Sequence, residues 1–242
     1  MTDLLYMSDN YIREFDALVQ KVAQDYLVLD RTAFYYLGGG QSSDRGTLSY
    51  KDAALRIHEV RKVEGEICHF VKDSIPFGVG TEVHGVLDWD FRYECMRFHT
   101  AQHLLSRYLQ LNYGLITVGN MIKPGSSRAD FTPLEAFDDA MKHDVEVGVN
   151  EILAKELDVE TRMMPRDYAI LFLNERGYQT RYLEMVPESV TEFRVLIIGD
   201  YDAASCAGTH VANTREIGTI QIGKNKNVGA GKQRIYFSLK AP

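Results

Sequence analysis

Residues 97–109 read RFHTAQHLLSRYL, and the architecture turns on how this stretch is read. Phe98, Ala101, Leu105, Tyr108 and Leu109 recur at helical spacing, so they form an apolar stripe. His99 and His103 lie beside that stripe. Four-residue spacing on a helix puts both imidazoles on one face, within reach of a single ion. A matching motif stands far downstream: Cys206-x-x-x-His210, inside residues 205–218, SCAGTHVANTREIG. A Cys and a His from a second element can complete a tetrahedron, and three nitrogens with one thiolate suit Zn²⁺. Either motif alone is common. Together they predict one metal site built from His99, His103, Cys206 and His210. No glutamate follows the first histidine to act as general base, which argues against a zincin-type protease.

Working outward, Asp88, Asp90 and Glu94 cluster where the helix dipole favours acids, and Asn112 and Gly114 offer a stop. The spacing therefore predicts a helix from about Asp90 to Asn112. The chain before it reads as short β-rich runs (residues 26–37, 54–63, 66–72 and 81–88) punctuated by glycine turns. That pattern predicts a small β-barrel or curled sheet. After the helix, residues 129–133 read as a short strand. Thr132 then resembles a helix cap, with Pro133 at the first helical position and Glu135 at the third. A second helix is expected from there to about Lys155. Strands are expected again in residues 159–166, 192–201, 218–223 and 234–239. Two central helices flanked by strands make an α+β chain. The change of pattern places a boundary near residue 89, with a glycine-rich β domain at 1–89 and an α+β domain at 90–242.

The chain has 242 residues, 45% hydrophobic and 25% charged, an ordinary globular composition. No apolar run is long enough for a membrane span, and the first residues lack the pattern of a signal peptide. Three cysteines suggest no disulfide framework. A reducing cytoplasm is the expected location, where a Cys206 thiolate stays available for metal. The net charge of −7 argues against a general nucleic-acid binder. The last stretch, from Gly218 on, nevertheless holds Lys224, Lys226, Lys232, Arg234 and Lys240 and no acid. Such a segment is either a solvated basic hairpin or a local phosphate contact.

Other residues carry competing readings. Cys95 precedes His99 by one helical turn and is either a rival ligand or a small buried hydrophobe. His58, His69, His84 and His143 have no matching partners and read as ordinary histidines. Gly38-Gly39-Gly40-Gln41 is either a flexible turn or a place where backbone approaches a ligand closely.

Residues 98–106 (FHTAQHLLS), 205–218 (SCAGTHVANTREIG) and 34–46 (FYYLGGGQSSDRG) resemble the alanyl-tRNA editing family. That family comprises the free-standing AlaX proteins and the editing domain of alanyl-tRNA synthetase. The resemblance runs from about Leu27 to Phe237, and the length is similar to the medium-sized AlaX form. It implies an N-terminal small β-barrel of the translation-protein type, followed by an α+β zinc-containing editing core. It also implies a trans-acting aminoacyl-tRNA hydrolase with one zinc ion, clearing seryl-tRNA(Ala) and extending to glycyl-tRNA(Ala). Thr32 and Gln41 become the candidate catalytic-pocket residues, Thr32 facing the seryl hydroxyl. Gly39 and Gly40 become substrate-binding backbone, and Lys224, Lys226, Lys232 and Arg234 candidate tRNA contacts. The chain departs from the family pattern at Tyr36-Leu37, Ser42-Ser43 and Ala207, none of them an expected ligand. Two other readings stay open. One is a deacylase for another charge state such as seryl-tRNA(Thr). The other is a non-catalytic zinc-stabilised tRNA-binding module, favoured by four protein ligands closing the tetrahedron.

Overall fold

The computed structural model describes residues 2–180, 183 and 186–242. The chain divides into two compact units, Met1–Met96 and Arg97–Pro242.

Among its described residues the first unit holds nine strands: β1 (Asp3–Leu4), β2 (Glu14–Val22), β3 (Tyr26–Leu29), β4 (Arg31–Thr32), β5 (Gly46–Tyr50), β6 (Ala53–Ile57), β7 (Glu59–Val63), β8 (Glu66–Phe70) and β9 (Glu82–Leu87). Seven of them form one sheet in the order β6-β5-β9-β2-β3-β8-β7, and β1 pairs in parallel with β4. β2 shows why the sheet forms. Phe15, Ala17 and Val19 are buried while Glu14, Asp16 and Leu18 face out, the period-two alternation of a half-buried strand. The buried face packs Phe15, Leu27, Leu29, Phe34, Leu48, Leu55, Ile57 and Val83 into one core. A Cβ on Gly85 would stand 2.5 Å from the Phe15 ring, so the bare backbone of β9 is what lets that ring lie flat on it.

The expected barrel is not reproduced as a closed ladder. Among the described residues the end strands β6 and β7 do not pair with one another. They are instead consecutive halves of one segment, separated only by His58, whose N–H donates to the Phe70 carbonyl at 3.0 Å. The chain turns the corner of the sheet covalently.

The long helix α1 (Trp89–Tyr113) starts in the first unit and continues into the second. The second unit then contains β10 (Ile116–Met121), β11 (Ser127–Thr132), α2 (Asp139–Leu153), β12 (Val159–Pro165), α3 (Arg166–Glu175), β13 (Glu192–Ile198), β14 (Asp202–Ser205), β15 (Thr219–Asn227) and β16 (Gln233–Lys240). β10-β11-β16-β15 make a four-stranded antiparallel sheet, and β12-β13-β14 a three-stranded one. The helix α2 is fixed on α1 at Gly148: a Cβ there would fall 2.2 Å from the Tyr108 ring. Tyr108 and Tyr113 hydroxyls both donate to Asp144 Oδ2, at 3.0 and 2.7 Å.

The second helix begins later than the sequence predicts. Asp138, not Thr132, is its cap, accepting from the Met141 N–H at 2.8 Å. Thr132 ends β11, and its hydroxyl donates to the Gly231 carbonyl. Leu134 N–H donates to the same carbonyl and Gln233 donates to the Glu135 carbonyl. The residue before a proline avoids the helical region, and tertiary hydrogen bonds to the β15–β16 loop claim the residues that follow. The short helix α3 was not foreseen. It follows a Pro165 cap directly after a strand, and its Ala169 and Leu173 pack under β13. No described helix is long and apolar enough to cross a membrane.

Candidate functional site

His99 and His103 project from α1, and Cys206 follows directly on β14. Cys206 extends the ladder of that strand by one bond, donating its N–H to the Arg194 carbonyl of β13 at 2.9 Å. Arg194 answers with its side chain: Nη1 donates to the carbonyls of Cys206 and Gly208, at 3.0 and 2.7 Å. That clamp curls the loop so that His210 returns towards Cys206. Beyond it, Asn213 and Glu216 form a capping box on the turn Thr214–Ile217. Thr214 Oγ1 accepts from the Leu157 N–H at 2.8 Å. The Asn213, Thr214 and Glu216 side chains that mark the motif in sequence are therefore the bracket that carries the loop.

The expected four ligands do meet. The donor atoms of His99, His103, Cys206 and His210 all lie within 4.8 Å of one another. Cys206 Sγ stands 3.6 Å from His99 Nε2 and 3.3 Å from His210 Nε2. Cys95 is not part of the group. It is fully buried, and burial pushes its thiol far up, as the small-hydrophobe reading predicts.

The electrostatics suit a cation. Burial alone would raise the Cys206 thiol, but His99, His210 and His103 outweigh it and hold the sulfur well below its ordinary value. That shift favours the thiolate, the form that binds metal. Burial pulls His210 down to about 3, leaving it a neutral ligand. Burial also lowers His103, yet contacts with Asp202 and Cys206 prevail and raise it to about 10 in the ion-free cluster, so a metal bound there would displace the second ring proton and leave a neutral imidazole. Three partners around the cluster were missed by sequence reasoning: Arg194, Asp202 and Thr100. Asp202 Oδ2 is 3.4 Å from His103 Nδ1, and Thr100 Oγ1 is 3.2 Å from His210 Nδ1. The spacing of Asp202 to Cys206, four residues along a strand, was the available signal.

The other expected residues lie elsewhere within their own units. Gly39 and Gly40 adopt φ of +56° and +81°, the left-handed region that favours glycine, inside a tight turn closed by Gly38 and Gln41. Gln41 is fully buried in that turn. The turn is braced by Asp44, which accepts from the Tyr35 N–H at 2.6 Å and pairs with the fully buried Arg92. Arg92 also donates to the carbonyls of Asn10 and Ala33.

Thr32 is fully buried as well, beside His69. His69 Nδ1 lies 3.3 Å from the Leu27 carbonyl, an acceptor only, so Nδ1 carries the hydrogen and Nε2 accepts. Thr32 O–H therefore donates to Nε2 at 2.9 Å, while its oxygen accepts from the Phe34 N–H at 3.1 Å. One lone pair of Thr32 remains, and it can serve only a donor.

Lys224 and Lys226 are exposed on β15, and Lys232 is half-buried in the loop before β16. Lys224 Nζ stands 5.1 Å over the Tyr236 ring. Arg234 is committed differently. Its Nε and Nη2 grip Asp130 at 2.7 and 2.8 Å, which depresses the carboxyl of Asp130.

Fold and cluster together define a mixed α/β protein of antiparallel sheets with a buried His₃Cys centre able to hold a metal. Comparison with known proteins narrows this class. Residues 6–91 match the family model for class II (A) tRNA synthetases, and residues 193–236 match the threonyl and alanyl tRNA synthetase second additional domain. The chain is 38% identical to the alanyl-tRNA editing protein AlaX-M of Methanosarcina mazei, over 99% of this chain and 97% of that one. It is 34% identical to AlaX-M of Saccharolobus solfataricus, over 99% and 100%. It is also 36% identical to the alanine–tRNA ligase of Thermococcus kodakarensis, over 98% of this chain and 26% of the ligase. The chain belongs to the AlaX-M family of alanyl-tRNA editing proteins.

Proposed function

We propose that this chain is a zinc-dependent trans-editing enzyme that hydrolyses the ester of seryl-tRNA(Ala), and extends to glycyl-tRNA(Ala). It is an aminoacyl-tRNA deacylase by family, and its partner is a tRNA. The convergence of His99, His103, Cys206 and His210 is the observation that carries the reading. Tetrahedral zinc with these donors needs N–S separations of about 3.5 Å, and the two measured here are 3.6 and 3.3 Å. With four protein donors filling its tetrahedron, the ion when bound would organise the pocket and position the ester, and the water would be activated by nearby polar groups or the substrate's own ribose hydroxyl.

The protein's own residues supply discrimination. A synthetase pocket built for alanine rejects serine poorly, because one added hydroxyl changes little in an apolar site. A second site that hydrogen-bonds that hydroxyl reverses the test, and discrimination on the order of 10⁴ becomes available. Thr32 offers one lone pair to such a donor. Because Thr32 is enclosed, the seryl side chain reaches it only after neighbouring groups give way. Gly39 and Gly40 present backbone to the substrate, and Gln41 fixes their turn. Lys224, Lys226 and Lys232 meet tRNA phosphates, with Arg234 in a supporting place beside Asp130. In this reading residues 1–89 serve as the glycine-rich β domain, curled towards a barrel by the segment that bends at His58, and residues 90–242 form the zinc-containing editing domain. The cytoplasm is its place of action.

Deacylation of seryl-tRNA(Ala), alanyl-tRNA(Ala) and seryl-tRNA(Thr) tests the reading, with wild type and Cys206→Ala and with zinc content determined. Rapid seryl release from tRNA(Ala), a spared alanyl ester and a zinc-poor variant slowed more than about 100-fold are expected, beyond what loss of an outer partner does. A zinc-loaded wild type that releases no serine from tRNA(Ala) sinks it.

A further inference from the structure

We propose that Asp202 is a positioning residue of the metal centre, holding Nδ1 of His103 so that Nε2 is the atom turned to the ion. The inference rests on the zinc reading above and adds a residue to it.

A carboxylate only accepts, so the Asp202 Oδ2 contact at 3.4 Å favours the His103 tautomer with its hydrogen on Nδ1. That leaves the Nε2 lone pair as the available ligand. The same ring orientation holds at His210, where Nε2 faces Cys206 Sγ at 3.3 Å and Nδ1 faces Thr100 Oγ1 at 3.2 Å. His99 likewise turns Nε2 to the sulfur. Two histidines on different elements thus share one orientation, and each has an outer partner on its far nitrogen. Free imidazole interconverts between tautomers and turns about its side-chain torsions. An outer hydrogen bond removes both freedoms and raises the basicity of the ligand.

Placement and charge agree. Asp202 opens β14 and Cys206 follows its end, four residues on, so strand periodicity gives both one face. The side chains of His103 and Asp202 are 13% and 10% exposed, so their contact is shielded from water. A divalent ion with three neutral imidazoles and one thiolate keeps one positive charge in a buried site. The Asp202 carboxylate cancels it, which lowers the cost of burying the ion.

The test is zinc affinity by chelator competition on the whole chain, for wild type, Asp202→Ala, Asp202→Asn and the exposed control Asp200→Ala. Folding is checked by circular dichroism, and the imidazole ¹⁵N shifts of His103 are recorded in the zinc-loaded state. Asp202→Ala is expected to bind zinc about 10- to 100-fold more weakly. Asp202→Asn should fall between, because its amide oxygen accepts but carries no charge, and it serves if the alanine variant does not fold. Asp200→Ala should match wild type. Wild-type His103 should show Nδ1–H with Nε2 bound, and that single pattern should be lost in Asp202→Ala. A folded Asp202→Ala with wild-type affinity and pattern overturns the proposal, even if it melts earlier. A wild-type chain that takes up no zinc overturns the underlying metal reading instead, a distinguishable failure.

Discussion

At the Cys206–His210 loop, four donor atoms point at a common centre and leave their outer sides to Asp202, Thr100 and Arg194. Around the glycine turn, polar groups are just as buried but point at each other. Asp44 takes the Arg92 guanidinium and the Tyr35 N–H, and Thr32 takes His69 and the Phe34 N–H. A convergent set is built to receive something from outside. A pairwise set serves first to hold backbone in place, and here it leaves one lone pair over, on Thr32. Removing a member should therefore abolish uptake in the first region and weaken the fold in the second.

The sharpest challenge to this contrast is Arg92→Ala. It strands the Asp44 carboxylate without its buried partner, and such a loss costs about 3–5 kcal/mol. Urea unfolding of the metal-free protein should show a drop of that size. A variant as stable as wild type would show that the pair does not brace the turn. Arg92→Lys should rescue little, because one ammonium cannot reproduce the guanidinium's contacts with Asp44, Asn10 and Ala33.

A smaller effect comes from pH. His69 is held neutral by burial down to about 4, against 6.5 for the exposed side chain. As pH falls below 6.5 the unfolded chain gains a proton that the folded one refuses. Stability is therefore full above 6.5 and is lost progressively down to about 4, by up to about 3 kcal/mol. Comparing wild type with His69→Gln across pH 7 to 4 isolates this proton. Parallel stability curves would remove His69 from the account, and with it the fixed donor role of the Thr32 hydroxyl.

The smallest effect concerns the basic strand. Lys224→Ala and Lys226→Ala should each lower the slope of log affinity for tRNA against log salt by about one. Arg234→Ala should act mainly on stability, because its fork already belongs to Asp130. An equal slope change for all three would place Arg234 on the phosphates too.

The legible parts of this chain were those encoded by local spacing. Residues 99 and 103 share a helical face, and residues 206 and 210 bracket a loop, so the four side chains that meet could be named from the sequence. The strands β3, β4, β6, β7, β8 and β9 of the first unit and β11, β12, β13, β15 and β16 of the second were visible from alternation and glycine turns, whereas β1, β2, β5, β10 and β14 were not read as strands. What escaped depends on partners distant in the chain. Asp202 reaches His103, and Thr100 reaches His210, across about a hundred residues that no periodicity connects. His69 read as an ordinary histidine and is a buried core one, but its contact with Thr32 of β4 is made by tertiary packing, not by spacing. The false cap at Thr132 shows the converse: a correct local signal lost to hydrogen bonds with residues 231 and 233. The asymmetry of Arg234 and its lysine neighbours was equally hidden, since Asp130 lies on another strand.

His99 and Cys206 stand 107 residues apart in the chain. An ion gripping both is a reversible staple across nearly half the polypeptide. Closing a loop of that length in the unfolded ensemble removes entropy worth about 4–5 kcal/mol in the chain-entropy picture. Whatever the ion contributes to chemistry, its release also hands that freedom back to the chain. A bound metal would thereby tie the lifetime of the protein to metal supply by connectivity alone.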